Sequence, residues 1–445
     1  MIDAAEAMRV IQLTREAGVP FAILGDVQGN LARGFFTDID VLIAEESLGK
    51  VWSFLTERLS AEGYVLFNTV ENEYCHQLYW RHPGSGKVLH VDLLPHLTYR
   101  GLPYLHIPLK GASIDESHGF PVVADADLAL YMMLRQVLWN GEAASRHEQI
   151  VTEAIRRQYA YMFHRLCGAI GPRAAGFVLD AEASGTKGSY RGVRRRFLLR
   201  TFARHPLSSL MKVSRHFWML ARRFKEHPGL VVVLLGADGS GKTSIVRRFS
   251  ESESAFMNVV HCHLFPGWLP LGGRGAVASE TIEHPHDARN RTMLFSAIKL
   301  IAWCLEFTLG QAIRLWRPLE QGSLILFDRH AYDILVDPKR YRYGGPSWLA
   351  RVFARAVPKP DLCIALDAPA ETLISRKTEI SFEELERQRK AYVELVGSVQ
   401  NGRIVDAAQP LEDVAAAIED IILDLLAKRA ERRRARLQRA FSRAS

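Results

Sequence analysis

The stretch LVVVLLGADGSGKTS, residues 230–244, decides how the chain folds. Its first six residues, Leu230–Leu235, form an unbroken leucine and valine run, which suits a strand buried on both faces. The run leads into Gly236-Ala-Asp238-Gly239-Ser240-Gly241-Lys242-Thr243-Ser244, a full match to G-x-x-x-x-G-K-[ST]. Glycines let the backbone bend until consecutive N–H groups face phosphate oxygens, at the positive end of the helix that IVRRF (245–249) predicts. Lys242 brings a positive charge to the terminal phosphates, and the Thr243 hydroxyl is a ligand for Mg²⁺. The strand before and the helix after predict a nucleotide site at Gly236, Asp238, Gly239, Ser240, Gly241, Lys242, Thr243 and Ser244.

Outward from this loop the pattern is that of an α/β domain. A second apolar run, Ser323–Phe327, ends in Asp328-Arg329-His330. An aspartate at the end of a strand beside such a loop holds a metal through water or orients the acceptor, and Arg329 has the planar fork to clamp a phosphate. A third strand, Asp361–Asp367, precedes a helix that carries Arg376 and Lys377. A fourth, Gly402–Val405, leads to Asp406-Ala407 and a helix over Leu411–Leu426. The expectation is a nucleotide-binding parallel sheet with helices on both faces, spanning 230–427.

In order and spacing, GADGSGKTS, the strand ending in DRH, PDLCIALDAPAETLISRK and RIVDA resemble the thymidylate kinase family over about 200 residues. The resemblance implies a P-loop NTPase fold and a kinase using ATP and Mg²⁺. It places Asp238 facing the acceptor sugar, Asp328 and Arg329 by the transferring phosphate, and Arg376 in or beside a lid. Lys242, Asp328, Arg329 and Arg376 would then carry catalysis, with Thr243 and Asp328 at the metal. Two departures concern the acceptor. That family follows its second strand with an Arg-Glu-Pro-Gly-like loop whose arginine holds the acceptor phosphate. Here the loop reads His263-Leu-Phe265-Pro266-Gly267-Trp268-Leu-Pro270, without that arginine. The segment after DRH, AYDILVDPKRYRYGG, is also rich in acid and arginine. The divergent branch it resembles occurs with cell-surface polysaccharide enzymes, so the acceptor is either a nucleoside monophosphate or a sugar-containing small molecule or glycan. A nucleotide-binding regulatory module with little turnover is the rival reading. Intact Lys242, Thr243 and Asp328 speak against it.

Further residues admit two readings each. His261, Cys262 and His263 are a strand end, with 261 and 263 on one face, or part of a metal site. His284-Pro-His286-Asp287 is loop or acceptor pocket. Arg340 and Arg342 are a solvated turn or phosphate clamps, and the glycines after them favour clamps.

The N-terminal segment reads as a mixed α+β domain. Helices are expected over Asp3–Ala17 and around Trp52–Leu59, and strands at Pro20–Leu24 and Asp40–Ile43. A hairpin is expected from His76–Trp80 and Val88–Leu94 around His82-Pro-Gly-Ser-Gly86, then helices from Ala124 to Ile170. Gly25, Asp38-Ile-Asp40 and Asp92 resemble the minimal nucleotidyltransferase pattern, with Gly25-Asp26 where Gly-Ser is usual. Residues 38 and 40 share one strand face. Together with Asp92 they are a carboxylate set for divalent metal around a triphosphate, or ordinary strand-edge acids. If the domain is active, the chain is a bifunctional kinase and nucleotidyltransferase.

A length of 445 residues predicts more than one domain. The divisions read from sequence are 1–180, a basic helical linker 181–229, 230–427 and a basic tail 428–445. The formal charge of +8 conceals a strong asymmetry: +12 lies in 187–225 and +7 in 428–445, which leaves −11 on the remainder. The basic linker interleaves its charges with Phe197, Phe202, Phe217 and Trp218, a mixture that suits an anionic membrane surface or a helix packed on a domain. Nucleic acid is not expected, since no stacking platform or groove-reading motif is present. A homodimer is left open. The opening MIDAAEAMRV carries acids where a signal peptide carries basic residues, so export is not expected, and the five cysteines form no C-x-x-C pair. A cytoplasmic protein is expected, peripheral to the inner membrane face if the linker binds lipid. The apolar stretch Phe295–Ile313 holds Lys299 and Glu306 and is expected to be a buried helix.

Overall fold

In the computed structural model, the apolar runs become strands. Described are residues 1–72, 74–109, 113–114, 119–141, 148–185, 190–251, 258–267, 292–376 and 381–444. The chain divides into two units, Met1–Arg222 with Leu426–Ser445, and Arg223–Leu425.

The first unit contains the strands β1 (Ile2–Asp3), β2 (Phe21–Ile23), β3 (Phe35–Phe36), β4 (Ile39–Ile43), β5 (Val65–Glu71), β6 (His76–Arg81) and β7 (Val88–Leu94). It continues with β8 (Leu97–Tyr99), β9 (Leu102–Leu105), β10 (Ser113–Ile114) and β11 (Pro121–Val122). A mixed sheet runs in the order β10-β11-β2-β4-β7-β6-β5, with separate pairs β1-β3 and β8-β9. The expected hairpin forms, with β6 antiparallel to β7 in the register Tyr79↔His90. One face of the sheet is covered by the helices Ala4–Glu16 and Leu48–Ala61, whose Val10, Ile11, Val51 and Leu55 are buried with Val41 and Leu78. A second core gathers the helices Asp125–Trp139, Glu148–Ile170 and Pro172–Ala183.

This unit extends beyond the boundary that sequence suggests. The helix Arg191–Arg204, expected as linker, buries Val193 and Phe197 in the second core, and Tyr190 donates to the buried Glu182 carboxylate at 3.1 Å. Two buried apolar side chains on one face, with Tyr190 at the helix start, anchor the helix while most of its charged residues stay in solvent. Residues 186–189, within the expected linker, lie outside the described residues. The basic tail is likewise helical. It continues the helix Leu411–Ala444, buries Ala430 in the first core, and Arg433 donates to the Thr69 carbonyl.

The second unit holds β12 (Leu230–Leu235), β13 (Val259–Cys262), β14 (Leu324–Phe327), β15 (Leu362–Asp367) and β16 (Gly402–Asp406). They form one parallel sheet in the order β13-β14-β12-β15-β16, flanked by helices. All six residues of β12 are buried, as a central parallel strand requires. The architecture is that of a P-loop NTPase sheet.

The helix expected to be buried at 295–313 is not buried all round. It spans Met293–Gly310 and continues through a π turn, Gln311–Leu315, and Trp316–Glu320. Leu300, Phe307, Leu315 and Leu319 pack on the sheet, while Leu294, Phe295, Ile298, Ile301 and Leu305 are exposed. Apolar residues on every face leave no periodicity from which to read the covered side. By length and composition it is the one helix among the described residues long and apolar enough to cross a membrane.

Candidate active site

The phosphate-binding loop leaves the sheet at the end of its central strand, where β14 and β15 flank β12. Gly236 has φ +149°, and a Cβ added there would lie 2.7 Å from the Leu366 carbonyl oxygen and 2.8 Å from Ser240 Oγ. Gly239 has φ +85°, with an added Cβ 2.7 Å from the Leu373 carbonyl oxygen. Neither position admits a side chain, so the loop's path depends on both glycines. Lys242 opens the helix Lys242–Glu251. Its ammonium is buried and donates to the carbonyls of Gly236 (2.7 Å) and Ala237 (3.0 Å) and to Ser240 Oγ (3.3 Å). Burial first, and then the charge of Arg329, bring this lysine down to about 8. Thr243 and Ser244 follow in the first helical turn and are exposed. The residues fit a polyphosphate: the backbone bends where glycine alone is tolerated, and a buried cation lies beneath it.

Asp238 does not stand free to face an acceptor. Its Oδ1 accepts from Arg329 at 3.1 Å and its Oδ2 from Arg340 at 2.6 Å, so the loop, the DRH turn and the following acid- and arginine-rich segment meet on one carboxylate. Burial pushes this carboxyl up, but Arg340, Lys242 and Arg329 outweigh it and hold it well below the usual carboxylate range. The turn behind Arg329 is fixed by Asp333, which is buried and accepts from the His330 backbone N–H (2.6 Å) and the Tyr392 hydroxyl (2.7 Å). Arg340 is therefore held in the ion network of the loop rather than in a solvated turn. Arg342 sits at φ +50° in the same turn, and its backbone N–H donates to the Lys339 carbonyl at 2.8 Å.

Asp328 turns towards the neighbouring strand. His261 Nε2 lies 3.3 Å from its Oδ2 and His263 Nδ1 2.9 Å from its Oδ1. Burial raises this carboxyl, and the two imidazoles more than reverse that, bringing it to about 2. Arg376, expected near a lid, donates to the Ala407 carbonyl at 2.9 Å, while Arg389, which no local pattern singles out, pairs with Asp367 at 2.7 Å. Phe265 packs edge-on against Trp303 and tilted on Phe307, so it belongs to the core rather than to a free stacking platform. Trp268, Pro270, His284, His286, Asp287 and Lys377 lie outside the described residues.

In the first unit, parallel pairing of β4 with β7 sets Asp40 opposite Asp92, and Asp38 precedes β4 on the same face. Oxygen atoms of the three carboxylates all lie within 4.8 Å of one another. Asp38 and Asp40 line a cleft of about 1060 Å³ together with Gly25, Asp26, Arg33, Tyr131 and Arg135, and Asp92 lies buried behind them. Asp26, in the place of the usual serine, caps the helix Val27–Arg33 by accepting from the Gly29 N–H at 2.9 Å. Burial, then Asp92 and Asp38, push the Asp40 carboxyl well up. Burial also raises Asp92, but His90, Gln77 and Cys75 reverse this and lower it. Gln77 donates to Asp92 Oδ2 at 3.1 Å, and His90 Nε2 lies 2.6 Å from Oδ1. Carboxylates held this close repel one another unless one keeps its proton or a cation lies between them. His90 was legible only as an alternate residue of β7, and Gln77 and Arg135 come from other elements, so none of the three announces itself in sequence.

No protein-family model matches the chain. Among curated proteins, one named "Probable thymidylate kinase" from Pyrococcus abyssi (strain GE5 / Orsay) is 29% identical over 211 residues, 44% of this chain and 94% of the relative. Another of the same name, from Metallosphaera sedula, is 25% identical over 213 residues, 45% of this chain and 96% of the relative. The chain carries a thymidylate kinase-like region, similar at low identity over less than half its length.

Proposed function

We propose that the second unit transfers the γ-phosphoryl group of ATP to a nucleoside monophosphate or a sugar-containing acceptor. The observation that carries this is the ion network at the loop: buried Lys242 beneath it, and Arg329 and Arg340 both held by Asp238. Phosphoryl transfer asks little covalent chemistry of a protein and depends on positioning and charge stabilisation. Lys242 exchanges its carbonyl partners for β- and γ-phosphate oxygens. Asp238 positions the two guanidinium groups, which face charge developing on the equatorial oxygens. The Thr243 hydroxyl would help hold a divalent ion accompanying the nucleotide, whose charge would add to the neutralisation there. Lys242→Ala removes a loop cation and empties no apolar core, so the fold persists. ADP formation should fall by at least about 100-fold, the range seen when one transition-state donor is lost. Unchanged turnover in K242A would mean that the loop is not the phosphate site.

We propose a second activity for the first unit, on the observation that Asp38, Asp40 and Asp92 converge and that Asp38 and Asp40 line a cleft. Three carboxylates in this arrangement can hold divalent ions against a triphosphate, which supports nucleotidyl transfer.

A further inference from the structure

We propose that His261, His263 and Asp328 form a binding site for a divalent transition ion of the zinc class, with one coordination position left open. β13 presents its last residues alternately: His261 and His263 are exposed, while Cys262 between them and Leu264 after them are buried. The two imidazoles therefore share one face of the strand end. β14 pairs with β13 in parallel, His261 opposite Leu326 and Cys262 opposite Phe327, which delivers the next residue, Asp328, between the two rings.

The donor atoms of the three side chains all lie within 4.8 Å of one another. Ligands about 2.0–2.2 Å from a common ion are at most about 4.4 Å apart, a separation that small rotations of the exposed imidazoles reach from this spread. The second observation is the carboxylate itself. Asp328 is only 3% exposed, and its Oδ1 has no hydrogen-bond partner of good geometry, although His263 Nδ1 is 2.9 Å away. A buried carboxylate oxygen left unsatisfied is costly, and an ion shared with the two imidazoles would satisfy it. Two imidazoles and one carboxylate suit zinc and its neighbours, whereas Mg²⁺ prefers oxygen ligands and retains water. Three protein ligands, rather than four, leave a position for water or an oxygen of a bound molecule.

Asp328 adjoins Arg329, which bonds to Asp238 of the phosphate loop, so the ion would lie beside the proposed transfer site. Its charge would be available to an anionic acceptor oxygen. That role rests on the kinase reading, whereas the ion site does not.

The test uses the full chain, freed of metal with a chelator and measured without nucleotide in excess Mg²⁺. Zn²⁺ should bind by calorimetry, and Co²⁺ should give visible bands of a four-coordinate ion. Because the first unit has its own carboxylate cluster, the comparison that matters is between variants. His261→Ala with His263→Ala should weaken the Zn²⁺ event by at least about 100-fold and abolish the Co²⁺ bands, a loss beyond the usual cost of an outer-shell partner. Cys262→Ser should retain both. Zn²⁺ should also raise the melting temperature of the parent and not of the double variant, which separates lost ligation from misfolding. Identical Zn²⁺ binding in parent and double variant, or no binding in either, would overturn the site and leave Asp328 as a hydrogen-bond acceptor for the imidazoles. Either result leaves the Lys242 test of the kinase reading untouched.

Discussion

At the scale of single residues, the DRH turn sets a buried imidazole beside an arginine of the loop's ion network. His330 is 3% exposed, packed edge-on against Phe307 and Tyr332, and burial brings it down to about 3. Above about pH 6.5 it is neutral in both the folded and the unfolded chain. Below that, the unfolded chain takes up a proton that the folded chain refuses, so stability falls as pH drops from about 6.5 towards 3. By pH 4 the loss from this residue alone is about 3 kcal/mol. Urea unfolding across this range should show a shallower acid slope in His330→Gln than in the parent; equal slopes would assign the acid sensitivity elsewhere. The acceptor prediction also belongs to single residues. No arginine occupies the Leu264-Phe265 position, and Phe265 is committed to the core against Trp303 and Phe307. A missing charge-assisted contact costs about 1.5–3 kcal/mol, or about ten- to a hundred-fold in transition-state binding. Thymidine monophosphate should therefore be a poor acceptor beside other nucleoside monophosphates and free or phosphorylated sugars. A kcat/KM for it of about 10⁴ M⁻¹s⁻¹ or more would show that another group holds its phosphate.

At the scale of elements, legibility follows how local the determinants are. β12 and its loop could be read directly, because burial on both faces and tolerance for glycine alone are written in consecutive residues. The hairpin of β6 and β7 was legible for the same reason, its turn chemistry lying between two alternating runs. The Arg340–Asp238 contact joins residues far apart in sequence and has no local signature. Asp328 was legible as a strand-end carboxylate, but its direction, towards His261 and His263, depends on which strand lies next to β14. The helix Pro206–Lys225 is the element whose exposed face asks for a partner. Leu207, Leu210, Met211, Phe217 and Trp218 are all exposed along it, and Lys212 and Arg215 accompany them. An apolar stripe with basic neighbours complements an acidic lipid surface, each cation near the leaflet adding about 1 kcal/mol. Co-sedimentation should show the full chain on phosphatidylserine vesicles and little on neutral ones, with Phe217→Ser and Trp218→Ser together reducing capture at least about tenfold. Equal capture by both vesicle types would remove the membrane assignment.

At the scale of the whole molecule, each unit has its own core, and a different phosphate chemistry is proposed for each. The first unit offers a carboxylate cluster beside a cleft, and the second a cationic loop. These are opposite electrostatic solutions: carboxylates reach a triphosphate only through bound cations, whereas Lys242 and the two guanidinium groups meet it directly. The two proposed reactions therefore call for different responses to the same changes. In Asp40→Asn, one acid of the cluster becomes a neutral amide of similar shape, so the β4–β7 pairing persists while divalent-dependent nucleotidyl transfer is lost. ADP formation by the second unit should be unaffected, because Asp40 and Lys242 fall in different units. In K242A the reverse holds, with nucleotidyl transfer retained and phosphoryl transfer lost. Labelled triphosphates of each base, supplied to the full chain with and without a divalent ion, separate the outcomes by product: nucleotide attached to an acceptor, or a transferred phosphoryl group. A divalent-dependent nucleotidyl product that disappears in Asp40→Asn and survives in K242A establishes two independent sites. No such product with any base would leave the first unit as a binding scaffold, whatever the second unit does. Loss of both products in either single variant would contradict independence and require one site to depend on the other.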